Sequence, residues 1–258
     1  MRLYRIHGLL LRHWYITINS VDRILDVLFW PIINLVLWGF ASQYVQQIGA
    51  QGAIVGVFLG GLILYTLFDR AQKDTSMYIV EDFWNKSVYS MYATPITEAE
   101  LFSSVALVGL LRAFIEFSIV ALLAFVGYGF NILTVGGIGL FFIPLMIFGW
   151  AVGLLINGII FQYGSRISIF IWSVPFMIEP LAAVFYPLSV LPPVLQTIAS
   201  MLPLAYVFEG LRAAINGTFL VWEFWTALVL SLVYFGVSYW LFRYLVRRGR
   251  RTGFLSKQ

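Results

Sequence analysis

Charged residues inside apolar stretches are the groups in this chain whose types and spacing could do chemistry. Glu179 stands between Pro175 and Pro180 in an otherwise apolar run. A carboxylate at mid-membrane costs about 3 kcal/mol if it faces lipid, so it must face protein or water. Either it lines a path, where it could relay protons, or it bonds backbone carbonyls that the prolines leave without donors near residues 171 and 176. Arg112 and Glu116 are four apart, which puts them on one helix face, able to pair with each other. Arg23 and Asp26 read the same way at the mouth of the first apolar run. Glu209 and Arg212, three apart, can also form a salt bridge. Trp30 and Asn34 flank Pro31 and suit either a path lining or a contact between chains.

Most enzyme chemistry is missing. The histidines are His7 and His13, and there is no cysteine, which removes disulfides, thiolate metal sites and cysteine nucleophiles. No histidine–carboxylate metal motif and no G-x-S-x-G element occurs. No catalytic residue, metal site or bound cofactor is therefore expected. The phosphate-cradling G-x-x-x-x-G-K-[ST] loop is also absent, the lysines being Lys73, Lys86 and Lys257. Work driven by ATP would need another polypeptide.

The elements that must position these groups are membrane helices. The 258 residues are 61% hydrophobic and 11% charged, with a mean hydropathy of +0.89. A soluble domain carries roughly twice that charge, so lipid must be the solvent for most of this surface. Apolar segments long enough to cross lie near 24–45, 53–71, 103–130, 136–158, 167–186 and 222–245. Arg2, Arg5, Arg12, Arg23, Arg70, Lys73, Lys86, Arg166 and the run from Arg243 to Lys257 then fall on one side, and only Arg212 on the other. The positive-inside rule predicts both termini and the 72–100 loop in the cytoplasm, with 187–221 outside. No cleavable signal peptide is expected, because basic residues interrupt the first 20 positions. Those positions instead predict an amphipathic helix over 1–22, lying on the membrane surface; the alternative is a plain charged tail. The chain reads as a single transmembrane domain over 1–258: the surface helix, spans one to five over 24–186, the 187–221 segment, span six over 222–245 and a basic tail over 246–258.

Two stretches are neither spans nor simple loops. Between the fifth and sixth spans, Pro187, Pro192, Pro193 and Pro203 break an apolar segment too often for it to cross. Pro192-Pro193 and Pro203 suit helix starts, and Asn216-Gly217 suits a helix end. The spacing predicts two short helices that dip in from outside and return, buried against protein; the alternative is a loop lying flat on the lipid. In the 72–100 loop, Thr97 with Glu100 three residues later forms a helix-start signature, placing the beginning of the third helix near residue 98. Before it, a short helix within 76–92 would carry Glu81, Asp82, Phe83, Trp84 and Lys86. Its aromatic residues suit docking into a partner groove or packing on the chain's own spans. The pairs Gly56/Gly60 and Gly149/Gly153 allow close helix approach, usually within one chain.

The order of these features resembles the ABC type-2 transporter permeases, the membrane subunits of ATP-binding-cassette exporters. The resemblance covers most of the chain. It rests on the surface helix before "DVLFWPIINLVLWGF", on "YATPITEAE" leading into the third span, and on "FYPLSVLPPVLQTIASMLPLAYVFEGLRA" between the last two. It implies an all-α integral membrane fold: six transmembrane helices, an N-terminal interfacial helix, a cytoplasmic coupling helix and two extracellular re-entrant helices between spans five and six. It implies a plasma-membrane pathway for a hydrophobic, lipidic or glycan substrate, formed with a second permease, identical or related. Two ABC ATPase subunits would hold ATP and Mg and receive the coupling helix, here Glu81, Asp82, Phe83, Trp84 and Lys86. The re-entrant helices, with Glu209 and Arg212, would cap the exit. Where the family often has arginines in the coupling segment, this chain has Lys86 alone. Beyond lipid no other partner is expected, and no nucleic acid. The competing reading is a proton-coupled secondary transporter using Glu179, although the two halves show no repeated pair of broken spans.

Overall fold

The computed structural model describes residues 3–48, 53–84 and 97–251. Among them the regular structure is entirely helical. We number the helices α1 (Leu3–Ile18), α2 (Val21–Gln47), α3 (Ile54–Trp84), α4 (Glu98–Tyr128), α5 (Phe142–Tyr163), α6 (Phe170–Leu181), α7 (Pro193–Ala199), α8 (Pro203–Ile215) and α9 (Val221–Arg251). Short 3-10 turns join several of them. Five stretches are long and apolar enough to cross a membrane: Leu25–Gln47, Ile54–Tyr78, Ala99–Tyr128, Ile138–Tyr163 and Val221–Arg248. The chain is thus a multi-pass helical membrane protein.

α3 is the central helix and touches α2, α4, α5, α6 and α8. Leu59, Ile63, Leu64, Phe68 and Ala71 are completely buried on it. Its approach to α5 is close because α5 offers glycine. A Cβ on Gly149 would sit 2.7 Å from the Phe68 carbonyl oxygen, and one on Gly153 would sit 2.6 Å from Thr75 Cβ. This small-residue pair therefore serves packing inside one chain. α4 starts with the predicted capping box: the Thr97 hydroxyl accepts from the Glu100 N–H, and the Glu100 carboxylate accepts from the Thr97 N–H.

Two expectations need correction. The second span does not end at residue 71, because α3 continues without a break to Trp84. Residues 62–84 contain no glycine or proline to stop a helix. The charges that look like a loop in hydropathy are accommodated by partners on neighbouring helices. The separate helix expected within 76–92 is therefore, up to residue 84, the end of α3; the rest of it, including Lys86, lies outside the described residues.

The fifth span, expected over 167–186, is also not a full-length helix. α6 has 12 residues, about 18 Å at 1.5 Å per residue, against roughly 30 Å of hydrocarbon. Beyond it, Ala182, Ala183 and Val184 leave helical geometry while remaining fully buried. Irregular backbone of this kind is tolerated in membranes only where protein covers it. The segment still returns through the bundle. The Ser231 hydroxyl donates to the Pro144 carbonyl at 2.9 Å, and Gly158 lies against Phe242 and Leu245. α5 and α9 therefore run parallel, so residues 164–220 lead from the end of one back to the start of the other.

Candidate functional site

An ion network ties α1, α2, α3 and α4 together, running from the middle of α3 and α4 toward the C-terminal end of α3. Arg70 on α3 is its centre and is buried. Its Nε donates to Glu116 on α4 at 2.5 Å, and its Nη1 donates to Asp26 on α2 at 2.7 Å. Its Nη2 reaches the Asp26 carbonyl at 3.2 Å. One turn along, Arg112 on α4 donates to Asp74 on α3 at 2.8 Å and also to the Thr17 hydroxyl on α1. Arg23 pairs with Glu81, and Lys73 with Asp69 at 2.7 Å. The pairs expected within one helix are thus replaced by pairs between helices. Arg112 and Glu116 each cross to α3; Asp26 crosses to α3 as well, and Arg23 to its C-terminal end.

The alternation of sign fixes helix register. Along α3 an arginine precedes an aspartate by one turn; along antiparallel α4 the arginine precedes a glutamate by one turn. A slip of one turn either way would bring Arg70 against Arg112, or Asp74 against Glu116. Buried pairs add little net stability, but leaving one member alone costs about 3–5 kcal/mol. Register is the property such a ladder can specify.

The network forms the wall between two cavities. One, of about 380 Å³, lies among α1, α2, α3 and α4 and is lined by Arg23, Arg112, Asp74, Glu81 and Trp84. The other, of about 360 Å³, lies among α2, α3 and α6 and is lined by Trp30, Asn34, Tyr65, Glu116, Phe176 and Glu179. Asp26, Arg70, Lys73 and Trp172 face both. The candidates Trp30, Asn34, Glu116 and Glu179 are therefore brought to one cavity, and Arg112, Glu81 and Trp84 to the other. Sequence reasoning missed Asp69, Lys73, Asp74, Tyr65 and Trp172. The i,i+4 spacings Asp69–Lys73 and Arg70–Asp74 were the available signal for the first three.

Glu179 does not bond the backbone left open by the prolines. It makes no ion pair or hydrogen bond among the described residues. The α6 backbone is served instead by Tyr65, whose hydroxyl donates to the Pro175 carbonyl at 2.7 Å, and by Tyr186, whose hydroxyl donates to the Pro180 carbonyl at 2.6 Å.

At the opposite end, the broken apolar segment folds as two short helices, α7 and α8, bent by 97°. Pro193 and Pro203 each open a helix, Pro192 precedes α7, and Pro187 precedes a 3-10 turn. α7 is mostly exposed, but Leu204, Ala205, Val207, Phe208 and Leu211 of α8 are completely buried. α8 is thus packed into the bundle. Asn216 caps it, and Gly217 follows with φ +82°. Arg212 and Glu209 form a salt bridge at 3.0 Å, and both are partly buried. Each also holds backbone: Arg212 Nη1 donates to the Ala183 carbonyl at 2.9 Å, and Glu209 accepts from the Leu188 N–H at 2.9 Å. Ala183 itself is left-handed, with φ +54°. Next to it, the Val184 carbonyl oxygen would lie 2.9 Å from a Cβ on Gly61, so only glycine admits this chain against α3. The pair therefore clamps the non-helical part of the return path.

The proposed coupling residues sit at the end of α3. Trp84 is half exposed, and Glu81 is engaged by Arg23 rather than presented at a rim. Burial pushes the Glu81 carboxyl above the ordinary range, against the opposing pull of Arg23. The side chains of Asp82 and Phe83, like Lys86, lie outside what the structure describes. The described residues contain no cluster of metal-ligating side chains. Comparison with family models and with curated proteins finds no match to this chain.

Proposed function

We propose that this chain is the permease subunit of an ATP-driven exporter, working with a second permease and two separate ATPase subunits in a plasma membrane, with both termini cytoplasmic. The observation that supports this reading most is the α7–α8 pair: two helices too short to cross, bent by 97°, with α8 packed into the bundle against the N-terminal part of α3. This arrangement accords with the resemblance in residues 185–213. In this reading α6 and the irregular backbone after it make a sixth crossing, and the α7–α8 pair caps the exit. The end of α3, with Glu81, Asp82, Phe83, Trp84 and the following Lys86, receives force from the ATPase. ATP and Mg belong to the partner.

The test is reconstitution of the permease with its ATPase in liposomes. Export should require ATP, stop with vanadate and survive a protonophore. Changing Phe83 and Trp84 together to Ala should release the ATPase or uncouple hydrolysis from export. Transport that needs no ATP and collapses with the protonophore would establish the proton-coupled reading through Glu179 instead.

A further inference from the structure

The cavity among α2, α3 and α6 has an unbalanced charge and an aromatic wall. Its carboxylates are Asp26, Asp69, Glu116 and Glu179, and its cations are Arg70 and Lys73. Asp26 and Glu116 share Arg70, and Asp69 holds Lys73. Glu179 is left without an ion-pair partner among the described residues. Around it stand the rings of Trp30, Tyr65, Trp172 and Phe176. Trp30 and Phe176 are more than half exposed on the surface of the bundle, so the cavity opens sideways between α2 and α6. About 360 Å³ is enough for a small organic molecule.

Each feature selects against other ligands. An anion would meet an excess of carboxylates. A sugar could donate hydroxyls to the carboxylates but brings no charge to balance Glu179. A neutral hydrophobe would leave Glu179 desolvated without compensation. A cation with an apolar body satisfies all three conditions, because its charge balances Glu179 and its body lies against ring faces that attract cations. We infer that this cavity binds a hydrophobic organic cation, with Glu179 as counter-charge and Trp30 and Trp172 as ring platforms. This deepens the exporter reading by naming the class of molecule carried.

The test compares two ions of nearly the same shape and opposite sign, tetraphenylphosphonium and tetraphenylborate. The full chain with its ATPase is placed in nanodiscs of zwitterionic lipid, and equilibrium binding of each ion is measured against empty nanodiscs without ATP. Tetraphenylphosphonium should bind saturably above the lipid background, and tetraphenylborate should not. Glu179→Gln should weaken the cation about tenfold or more, as loss of a desolvated charge partner does. Trp172→Ala should weaken it a few-fold, the size of a cation–π contact. Equal binding of both ions to the wild-type chain, or no saturable binding of the cation, overturns the inference even if Glu179→Gln fails to fold. So does full cation affinity in a folded Glu179→Gln variant. Because binding is read without ATP, its failure leaves the exporter reading intact, and failure of ATP-driven export leaves the site intact.

Discussion

The middle of the bundle and its α8 end handle charge differently. Midway along α3 and α4, Arg70, Arg112, Asp26, Asp74 and Glu116 bond across helices, carboxylate to guanidinium, and define which turn of α3 meets which turn of α4. At the α8 end, Glu209 and Arg212 neutralise each other within one helix and give their remaining bonds to backbone at Leu188 and Ala183. The first set fixes one rigid element against another. The second replaces hydrogen bonds that a helix would have made where the chain is not helical. Helical backbone satisfies its own polar groups, so charges between helices are available for specificity; broken backbone must borrow partners from side chains.

The largest expected effect is all-or-none and concerns which end is which. The chain has no cysteine, so single cysteines report cleanly. A membrane-impermeant thiol reagent added outside should label a cysteine replacing Thr218, just after α8, and leave one replacing Arg247, near the end of α9, unlabelled. The reverse pattern would invert the assignment of inside and outside.

Next in size is removal of the hub of the ladder. Arg70→Met leaves Glu116 buried without its cation, which should cost about 3–5 kcal/mol. Thermal unfolding of the detergent-solubilised protein should show it. The exchange of Asp74→Arg with Arg112→Asp restores that rung and should be far milder than either single change. It puts like charges one turn apart on each helix, however, so register should loosen. If the double variant is no better than the singles, the rung does more than neutralise charge.

What the sequence made legible follows the range of each signal. The Thr97–Glu100 capping box, the openings of α7 and α8 at Pro193 and Pro203, and the end of α8 at Asn216-Gly217 were readable because each is settled within a few residues. The extension of α3 was not, because the charges that look solvated are paired with residues 44 and 46 positions away in the chain. The break in α6 was half readable. Pro175 and Pro180 announced a disturbed helix, but the donors that serve the carbonyls of Pro175 and, beyond the break, Ala183 are Tyr65 and Arg212, from distant helices. Glu179 was visible as an anomaly, yet its lack of a partner is a property of the assembled cavity and of no local pattern.

The clamp should cost less to break than the ladder. Arg212→Ala leaves the buried Ala183 carbonyl without this donor and the partly buried Glu209 without its partner, for about 1–3 kcal/mol. Glu209→Gln keeps an acceptor for the Leu188 N–H and should be milder. In export assays both should leak or slow while the ATPase still co-purifies. If both variants export at the normal rate, the clamp is not needed for export.

The smallest effect tests what the clamp is for. A left-handed alanine pays about 1 kcal/mol for its Cβ. Ala183→Gly removes that strain but gives up the burial of one methyl group, about 0.8 kcal/mol, and loosens the unfolded chain. Alone it should change stability by less than about 1 kcal/mol. Its value lies in combination. If Arg212 is needed to hold a strained turn, Ala183→Gly should reduce the cost of Arg212→Ala by about 0.5–1 kcal/mol, the coupling that neighbouring sites show. The same change should leave the cost of Arg70→Met untouched, since the ladder makes no bond to this turn. A double-mutant cycle read by thermal unfolding decides it. Full additivity at Arg212 would mean that the guanidinium serves only the carbonyl and its carboxylate, and that the left-handed turn is held by its packing against Gly61.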